Sequence, residues 1–204
     1  MMTKTATIEA RVAAMKSLTA EAGLVTDATI AQYNHDVHDV WTPANGAALI
    51  ARAWTDAVFK ERLLENGREV AAEMGFAMPE HHRRLGVLEN TASVHNVICC
   101  TLCSCTAITI IGMAPGWYKN LDYRARIVRE SRTVLQELGL ALPEDMKVKV
   151  WDTTADTRYM VLPLRPAYTE GWSEAQLAQL VTQDAMIGVT RLEAPFAPPV
   201  PRPN

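Results

Sequence analysis

The sequence predicts an α+β protein in which a helical N-terminal arm precedes a domain of mixed helices and strands. Apolar residues recur at helical spacing from Ile8 to Leu18, and Gly23 is placed to end that helix. Runs typical of short strands begin only near residue 84. The segment 147–151 alternates apolar and polar residues, as a half-buried strand does. Helices first and strands later favour the α+β class.

The helical part continues beyond the first helix, because Thr42-Pro43 and Thr55-Asp56 are typical N-caps followed by helical runs. The character of the sequence changes near residue 84. We therefore expect a helical arm over 1–80, an α+β domain over 81–194 and a proline-rich tail over 195–204. The tail is expected to be disordered or to lie along a partner.

Four short strands are expected in the α+β domain, at 85–88, 94–98, 147–151 and 158–162. The loop Asp152 to Thr157 suits a β-hairpin between the last two strands. Helices are expected from about Asn120 to Arg129, from Ser131 to about Gly139, and after the capping box that runs from Ser173 to Gln176.

Composition and charge exclude several classes of protein. The chain has 204 residues, 49% of them hydrophobic and 21% charged, which is ordinary for a globular protein with a real core. The formal charge of −3 is spread among interspersed acids and bases, so we expect no nucleic-acid face. No apolar run is long enough to cross a bilayer, and the start lacks the apolar core of a secretory signal. Clustered thiols then indicate a reducing compartment, and we expect a cytoplasmic protein.

All four cysteines fall within seven consecutive residues, Cys99 to Cys105. Thiols this close can converge on one soft metal ion. A zinc site would combine Cys100, Cys103 and Cys105 with a histidine, of which His95 is the nearest. A redox dithiol is possible but lacks the surrounding βαβ pattern, and an iron–sulfur cluster needs four thiolates on one side of the chain.

A single residue, Ser104, separates Cys103 from Cys105, and this spacing makes zinc less attractive. Three sulfurs can then lie on one side of an ion while the backbone loops beneath it. The amide nitrogens of Ser104 and Cys105 would point into the same centre. A deprotonated amide ligand requires a strongly Lewis-acidic ion, and such a claw leaves one position open for water or substrate.

The cysteine segment resembles the metal-binding segment of the nitrile hydratase α subunit, whose signature is Cys-Thr-Leu-Cys-Ser-Cys. The resemblance spans at least residues 84–190 and implies a layered α/β/β/α-like domain that carries the metal loop. The matching segments are Val97–Cys105, Gly116–Lys119, Tyr123–Glu130, Lys149–Asp152, Val161–Pro166, Gly171–Glu174 and Met186–Val189.

The resemblance implies a metal centre and its ligands. The thiolates of Cys100, Cys103 and Cys105, with the amide nitrogens of Ser104 and Cys105, would hold one low-spin, non-corrin Co(III), or alternatively Fe(III). Threonine at the position of Thr101 is typical of the cobalt class of the family, whereas the iron class usually has serine there. Cys103 would be a sulfinate and Cys105 a sulfenate, because metal-bound thiolates are readily oxidised. A partner β subunit would supply arginines to these oxygens.

The resemblance also implies the reaction, hydration of a small-molecule nitrile to the corresponding amide. The metal would make the nitrile carbon electrophilic. The sulfenate oxygen of Cys105, or a water that it activates, would attack that carbon, while Cys103 and the Ser104 hydroxyl support the site. Trp117 matches an aromatic residue of the substrate pocket wall, although it could equally be a core tryptophan beneath the loop.

One departure from the family pattern and two rival hypotheses bear on this interpretation. Thr106 to Ile110 stand where the family usually has a Trp-Pro pair, so we expect a bulky heteroaromatic nitrile, as in the three-subunit toyocamycin-type members. The metal-carrying subunit of thiocyanate hydrolase resembles the same claw, and a zinc-stabilised interaction module is the rival from another class. His35, His38 and the His81-His82 pair are expected to lie at surfaces or subunit contacts.

Overall fold

The computed structural model describes residues 6–192, in which the chain divides into two compact units between Val40 and Trp41. The first unit contains helices α1, Ile8–Glu21, and α2, Asp27–His35, followed by a π-helical turn, Asp36–Val40. Thr7 and Thr26 cap the two helices through their hydroxyl groups, and Gly23 follows α1 with φ +67°. None of the residues of these helices is buried, so residues 6–40, the described part of this unit, form no core of their own.

The division at Val40 differs from the boundary expected near residue 80. Helices α3, Pro43–Thr55, α4, Ala57–Glu65, and α5, Gly67–Glu73, belong to the second unit. Leu49, Ile50 and Leu63 are fully buried there. These helices therefore provide core for the α+β domain rather than continuing an arm. The expected tail at 195–204 lies outside the described residues.

The second unit continues with four strands and further short helices. Its strands are β1, Arg84–Glu89, β2, Val94–Cys99, β3, Lys147–Asp152, and β4, Thr157–Leu162. The helices between β2 and β3 are α6, Ile108–Ile111, α7, Gly116–Lys119, α8, Leu121–Arg126, and α9, Ser131–Glu137. After β4 come a 3₁₀ turn, Ala167–Thr169, and helices α10, Glu174–Leu180, and α11, Gln183–Ile187.

The strands form two parallel pairs, β1 with β4 and β2 with β3. The predicted hairpin over Asp152 to Thr157 is therefore wrong: β3 and β4 are consecutive in the chain but belong to different sheets. The residues between them instead carry the chain from one sheet to the other, and the Arg84 amide donates to the carbonyl of Asp156 at the start of the β1–β4 pair.

The two strand pairs contact each other through β2 and β4, and helices cover them on several sides. Helices α4 and α5 contact β1, α9 contacts β3, and α11 contacts both β2 and β4. The capping box of Ser173 and Gln176 is present at α10. The α+β class with helices layered on paired strands is confirmed. Among the described residues, no helix combines the length and apolarity that a membrane span requires.

Candidate metal centre

The cysteine loop begins where strand β2 ends and runs to helix α6. Cys100 is buried at its base, Cys103 is exposed at its tip, and Cys105 is half-buried on the return path. Leu102 is 87% exposed, so apolar burial does not hold the tip of the loop in place. A functional loop on a rigid strand end is a common arrangement, because the scaffold fixes the ends of the loop.

The loop brings the sulfur atoms of Cys100, Cys103 and Cys105 within 4.8 Å of one another. The Sγ atoms of Cys100 and Cys103 are 3.3 Å apart, and those of Cys103 and Cys105 are 2.9 Å apart. A covalent S–S bond would be about 2.05 Å long, so these thiols are not joined. The expected gathering of the three sulfurs is therefore present in this structure.

The sulfur spacing indicates the kind of metal geometry that the loop fits. With metal–sulfur bonds of about 2.3 Å, two sulfurs at a tetrahedral angle lie about 3.8 Å apart, and two at a right angle lie about 3.3 Å apart. The observed 3.3 Å equals the right-angle value and the observed 2.9 Å is shorter still, so both lie nearer to a right angle than to a tetrahedral angle. The donor set thus suits an octahedral or square-based ion with further ligands better than tetrahedral zinc.

His95 is not positioned to complete a zinc site. Its Nε2 lies 2.7 Å from the carbonyl oxygen of Gly188, and its Nδ1 lies 3.3 Å from the side-chain amide of Asn90. Both ring nitrogens are therefore engaged in the core. The one group of potential metal ligands found in the described part of the chain consists of the three cysteines without His95.

The local electrostatics distinguish the thiols of Cys99, Cys103 and Cys105. Hydrogen bonding from Cys105, supported by Cys100 and by the backbone amides of Cys105 and Ser104, lowers the pKa of Cys103 to about 7. Burial, with the neighbouring Cys103, raises the pKa of Cys105 to about 11. Burial and the nearby Asp152 raise the pKa of Cys99 to about 12, which keeps it a neutral thiol.

Polar contacts from the surrounding elements hold both ends of the loop. The Tyr118 hydroxyl donates to the carbonyl of Cys105 at 3.2 Å, and the Tyr123 hydroxyl donates to the carbonyl of Ile98 at 2.9 Å. Thr153 donates from its amide and its hydroxyl to the carbonyl of Cys99, both at 2.9 Å. Sequence reasoning assigned no role to these residues, although both tyrosines lie in segments that resemble the family.

The first turn of the loop is held by an arginine and an aspartate. The Arg124 guanidinium on α8 donates to the carbonyls of Cys100 and Thr101, at 2.9 Å and 2.8 Å. Asp152 at the end of β3 accepts from the Thr101 amide at 2.9 Å and from the Thr101 hydroxyl at 2.5 Å. The hydroxyl of Thr101 is thus directed to a carboxylate rather than to the sulfurs.

The remaining candidate residues lie in different surroundings. Trp117 is half-buried and packs edge to face against Tyr123, with ring centroids 5.1 Å apart. Ser104 is half-buried between two ligand cysteines. The roles of Trp117 in substrate binding and of Ser104 in catalysis stay predictions.

The segment that replaces the family's Trp-Pro pair is largely core. Ala107 and Ile110 are fully buried, and the Thr106 hydroxyl donates to the carbonyl of Gly112 at 3.1 Å. Four of its five residues are thus buried, and Ile108 is half-buried.

The histidines expected at surfaces divide into two groups. In the first unit, His35 is exposed and its Nδ1 lies 2.9 Å from a carboxylate oxygen of Asp39. His38 is exposed in the π-helical turn of that unit, as expected. In the second unit His81 is exposed, but His82 is only 6% exposed, so the surface expectation is wrong for His82.

An α+β scaffold with a loop that gathers three cysteine sulfurs within 4.8 Å of one another is typical of a protein that binds a metal ion through cysteine. The model of the family described as nitrile hydratase, alpha chain, matches residues 6–190. The chain belongs to this family. It is 43% identical to the cobalt-containing nitrile hydratase subunit alpha of Pseudonocardia thermophila, over 92% of each chain.

Two further relatives bear on the metal and the substrate. A solved structure of a double mutant of the Fe-type nitrile hydratase from Comamonas testosteroni Ni1 superposes with a TM-score of 0.90 and 61% identity, covering 99% of this chain and 98% of that one. The thiocyanate hydrolase subunit gamma of Thiobacillus thioparus is 38% identical, over 86% of this chain and 76% of its own length. The Pseudonocardia and Thiobacillus relatives are both named as subunits of larger enzymes.

Proposed function

We propose that this chain is the catalytic, metal-binding subunit of a nitrile hydratase, which adds water to a nitrile to give the corresponding amide. The observation that carries the proposal is the close gathering of the Cys100, Cys103 and Cys105 sulfurs in a loop of a nitrile hydratase family member. When bound, a trivalent ion would supply Lewis acidity toward the nitrile and a position for substrate.

The residues of this chain have distinct parts in that proposal. The three sulfurs and the amide nitrogens of Ser104 and Cys105 would hold the ion. Cys103 at the exposed tip would carry two oxygens and Cys105 one, giving oxygen acceptors that the arginines of a β-type partner subunit could bind by charge-assisted hydrogen bonds. Cys105, which lies deeper than Cys103, would carry or activate the oxygen that attacks the nitrile carbon.

Cobalt is the metal favoured by the Cys-Thr-Leu-Cys-Ser-Cys sequence of the claw and by the cobalt-containing relative. Iron is the second candidate, because the 61% identical structure is an Fe-type enzyme. Residue 101 alone does not decide between them, since the Thr101 hydroxyl binds Asp152 and both serine and threonine could do so. Elemental analysis of the purified protein distinguishes the two metals directly.

We further propose a heteroaromatic nitrile as substrate and the cytoplasm as the site of action. The absence of the Trp-Pro pair removes a bulky, stiff segment after Cys105, which supports a larger substrate. Four thiols in one short segment with no disulfide among them support a reducing compartment. Thiocyanate is the second candidate substrate, because the thiocyanate hydrolase subunit matches most of the chain.

The test is to purify the full chain together with its partner subunit and to measure metal content, cysteine oxidation and turnover. We expect about one cobalt or iron per chain, three added oxygen atoms on the peptide that contains the claw, and amide formation from nitriles. Turnover of thiocyanate but no nitrile would favour the rival hydrolase. Tightly bound zinc with unmodified thiols would contradict the proposal and favour a zinc-stabilised module.

A further inference from the structure

The peptide between Cys100 and Thr101 is held from two directions by oppositely charged side chains. Arg124 donates two hydrogen bonds to consecutive carbonyls of this segment, and Asp152 accepts two from the amide and hydroxyl of Thr101. All four distances lie between 2.5 Å and 2.9 Å, as is typical of hydrogen bonds in which one partner is ionised.

These contacts act where the loop has little else to fix it. Beyond the buried Cys100, the loop places Leu102 almost fully in solvent and Cys103 at an exposed tip. Fixing the backbone of a residue in one conformation costs about 1–2 kcal/mol of entropy, and apolar burial does not offset that cost at Leu102. Hydrogen bonds to charged groups are the strongest local contacts available to offset it.

Arg124 and Asp152 together form what we call the clamp. The geometry also links this clamp to the spacing of the sulfurs. The Cys103 amide donates to the Cys100 sulfur at 3.4 Å, so the turn that presents the second thiol begins from the backbone that Arg124 and Asp152 hold. A guanidinium suits two carbonyls at once because its N–H groups form a rigid fork, whereas a lysine ammonium would act as a point charge.

We propose that Arg124 and Asp152 are positioning residues that set the spacing of the cysteine claw before the metal enters and keep the metal in place afterwards. The retention part of this inference rests on the metal binding in the proposed function. The spacing part concerns the metal-free loop as well, so the two parts can be measured separately.

The test compares Arg124→Lys and Asp152→Asn with matched controls. Arg126→Lys changes an arginine in the same helix that pairs with Asp122, Glu130 and Glu137. Asp156→Asn changes an exposed carboxylate that likewise accepts from threonine hydroxyls, here of Thr154 and Thr157. All variants are made in the full chain with its partner subunit, and circular dichroism and thermal melting confirm folding.

The first readout is the rate at which the loaded protein loses metal to an excess of chelator and reductant, followed by elemental analysis and by the thiolate-to-metal absorption band. Loss of a residue that orients the ligands of a metal typically weakens binding by about 10- to 100-fold. We expect a comparable acceleration of metal loss and a shifted absorption band for Arg124→Lys and Asp152→Asn, with both controls matching the unmodified protein.

The second readout is hydrogen exchange of the claw peptide in metal-free protein. Removal of a charged acceptor from the Thr101 amide should speed exchange of this peptide by about tenfold in Asp152→Asn and leave it unchanged in Asp156→Asn. Clamp variants that match their controls in both readouts would overturn the clamp. Unmodified protein without a tightly bound metal would overturn the proposed function, while the exchange measurement would still decide whether the clamp orders the loop.

Discussion

Cys99 pairs with Asp152 across the parallel strands β2 and β3, whereas the next residue, Cys100, turns its sulfur toward the cysteine cluster. Successive side chains of a strand point to opposite faces, so neighbours at the end of β2 can have separate roles. Cys99 is fully buried, and its raised pKa keeps the thiol neutral. Its position indicates packing rather than metal binding.

Substitution of single cysteines should separate these two roles. Cys105→Ala removes one of three clustered sulfurs, so we expect loss of both the bound metal and nitrile turnover. Cys99→Ala removes one buried sulfur and should cost about 1 kcal/mol of stability while metal content and turnover stay close to those of the unmodified protein. Metal analysis and chemical denaturation measure both effects. Loss of metal in Cys99→Ala would show that the claw is displaced by one residue.

A second prediction concerns Thr101, the position at which the cobalt and iron classes of the family differ in sequence. The Thr101 hydroxyl donates to Asp152, and serine can make the same bond. Thr101→Ser should therefore keep the same metal as the unmodified protein when both are produced with cobalt and iron supplied together. Thr101→Val keeps the shape but loses the hydroxyl, and it should lose metal faster. A change of metal in Thr101→Ser would mean that the residue acts by a route other than this hydrogen bond.

The cysteine cluster could be found from sequence because all its members lie within seven residues, so local spacing alone limits the possible geometry. The groups that hold the loop could not be found in that way. Asp152 and Thr153 reach it from the end of β3, about fifty positions further along the chain, and Tyr118 reaches it from α7. Their contacts depend on strand pairing and helix packing that no short motif specifies.

Strand positions were predictable for a similar reason, but strand partners were not. The alternation at 147–151 and the apolar run at 158–162 mark strands whose short connection resembles a hairpin loop. Both strands instead pair in parallel with earlier strands, β4 with β1 and β3 with β2, across a long stretch of intervening chain. Helices α3 and α4 were likewise predicted as helices, but their burial in the core of the domain appears only in the folded chain.

A third prediction concerns the close approach of helix α11 to strand β2. Gly188 has φ +91°, and a Cβ there would lie 2.1 Å from the Asn96 carbonyl oxygen and 2.9 Å from the Val97 Cα. Backbone atoms cannot move aside as a flexible side chain can, so Gly188→Ala should destabilise the fold by more than about 3 kcal/mol.

Gly75 offers the matched control, because it has φ +86° and a Cβ added there would meet no other atom within 4 Å. Gly75→Ala should show only the cost of the left-handed backbone, about 1–2 kcal/mol. Denaturant unfolding of both variants measures the difference. Equal destabilisation would mean that strain in the backbone, rather than contact with β2, dominates at Gly188.

The last prediction concerns the acid stability of the fold. Burial, with the positive charges of Arg158, His81 and Arg68, lowers the pKa of His82 to about 4. The folded state therefore holds this imidazole neutral, while the unfolded chain takes up a proton near pH 6.5. The stabilisation is complete above about pH 6.5 and is lost as the pH falls toward 4, amounting to about 2 kcal/mol between pH 7.5 and pH 5.

Denaturant unfolding of the unmodified chain and of His82→Asn at these two pH values measures this contribution. Asparagine does not titrate, so the variant should lose about 2 kcal/mol less than the unmodified chain on going from pH 7.5 to pH 5. His35→Asn is the control, because His35 is exposed and ion-paired with Asp39. Its pH response should follow that of the unmodified chain. If His82→Asn kept the full loss of stability in acid, the acid sensitivity would arise from other groups. The first of these to examine is the buried His95, because burial lowers its pKa as well.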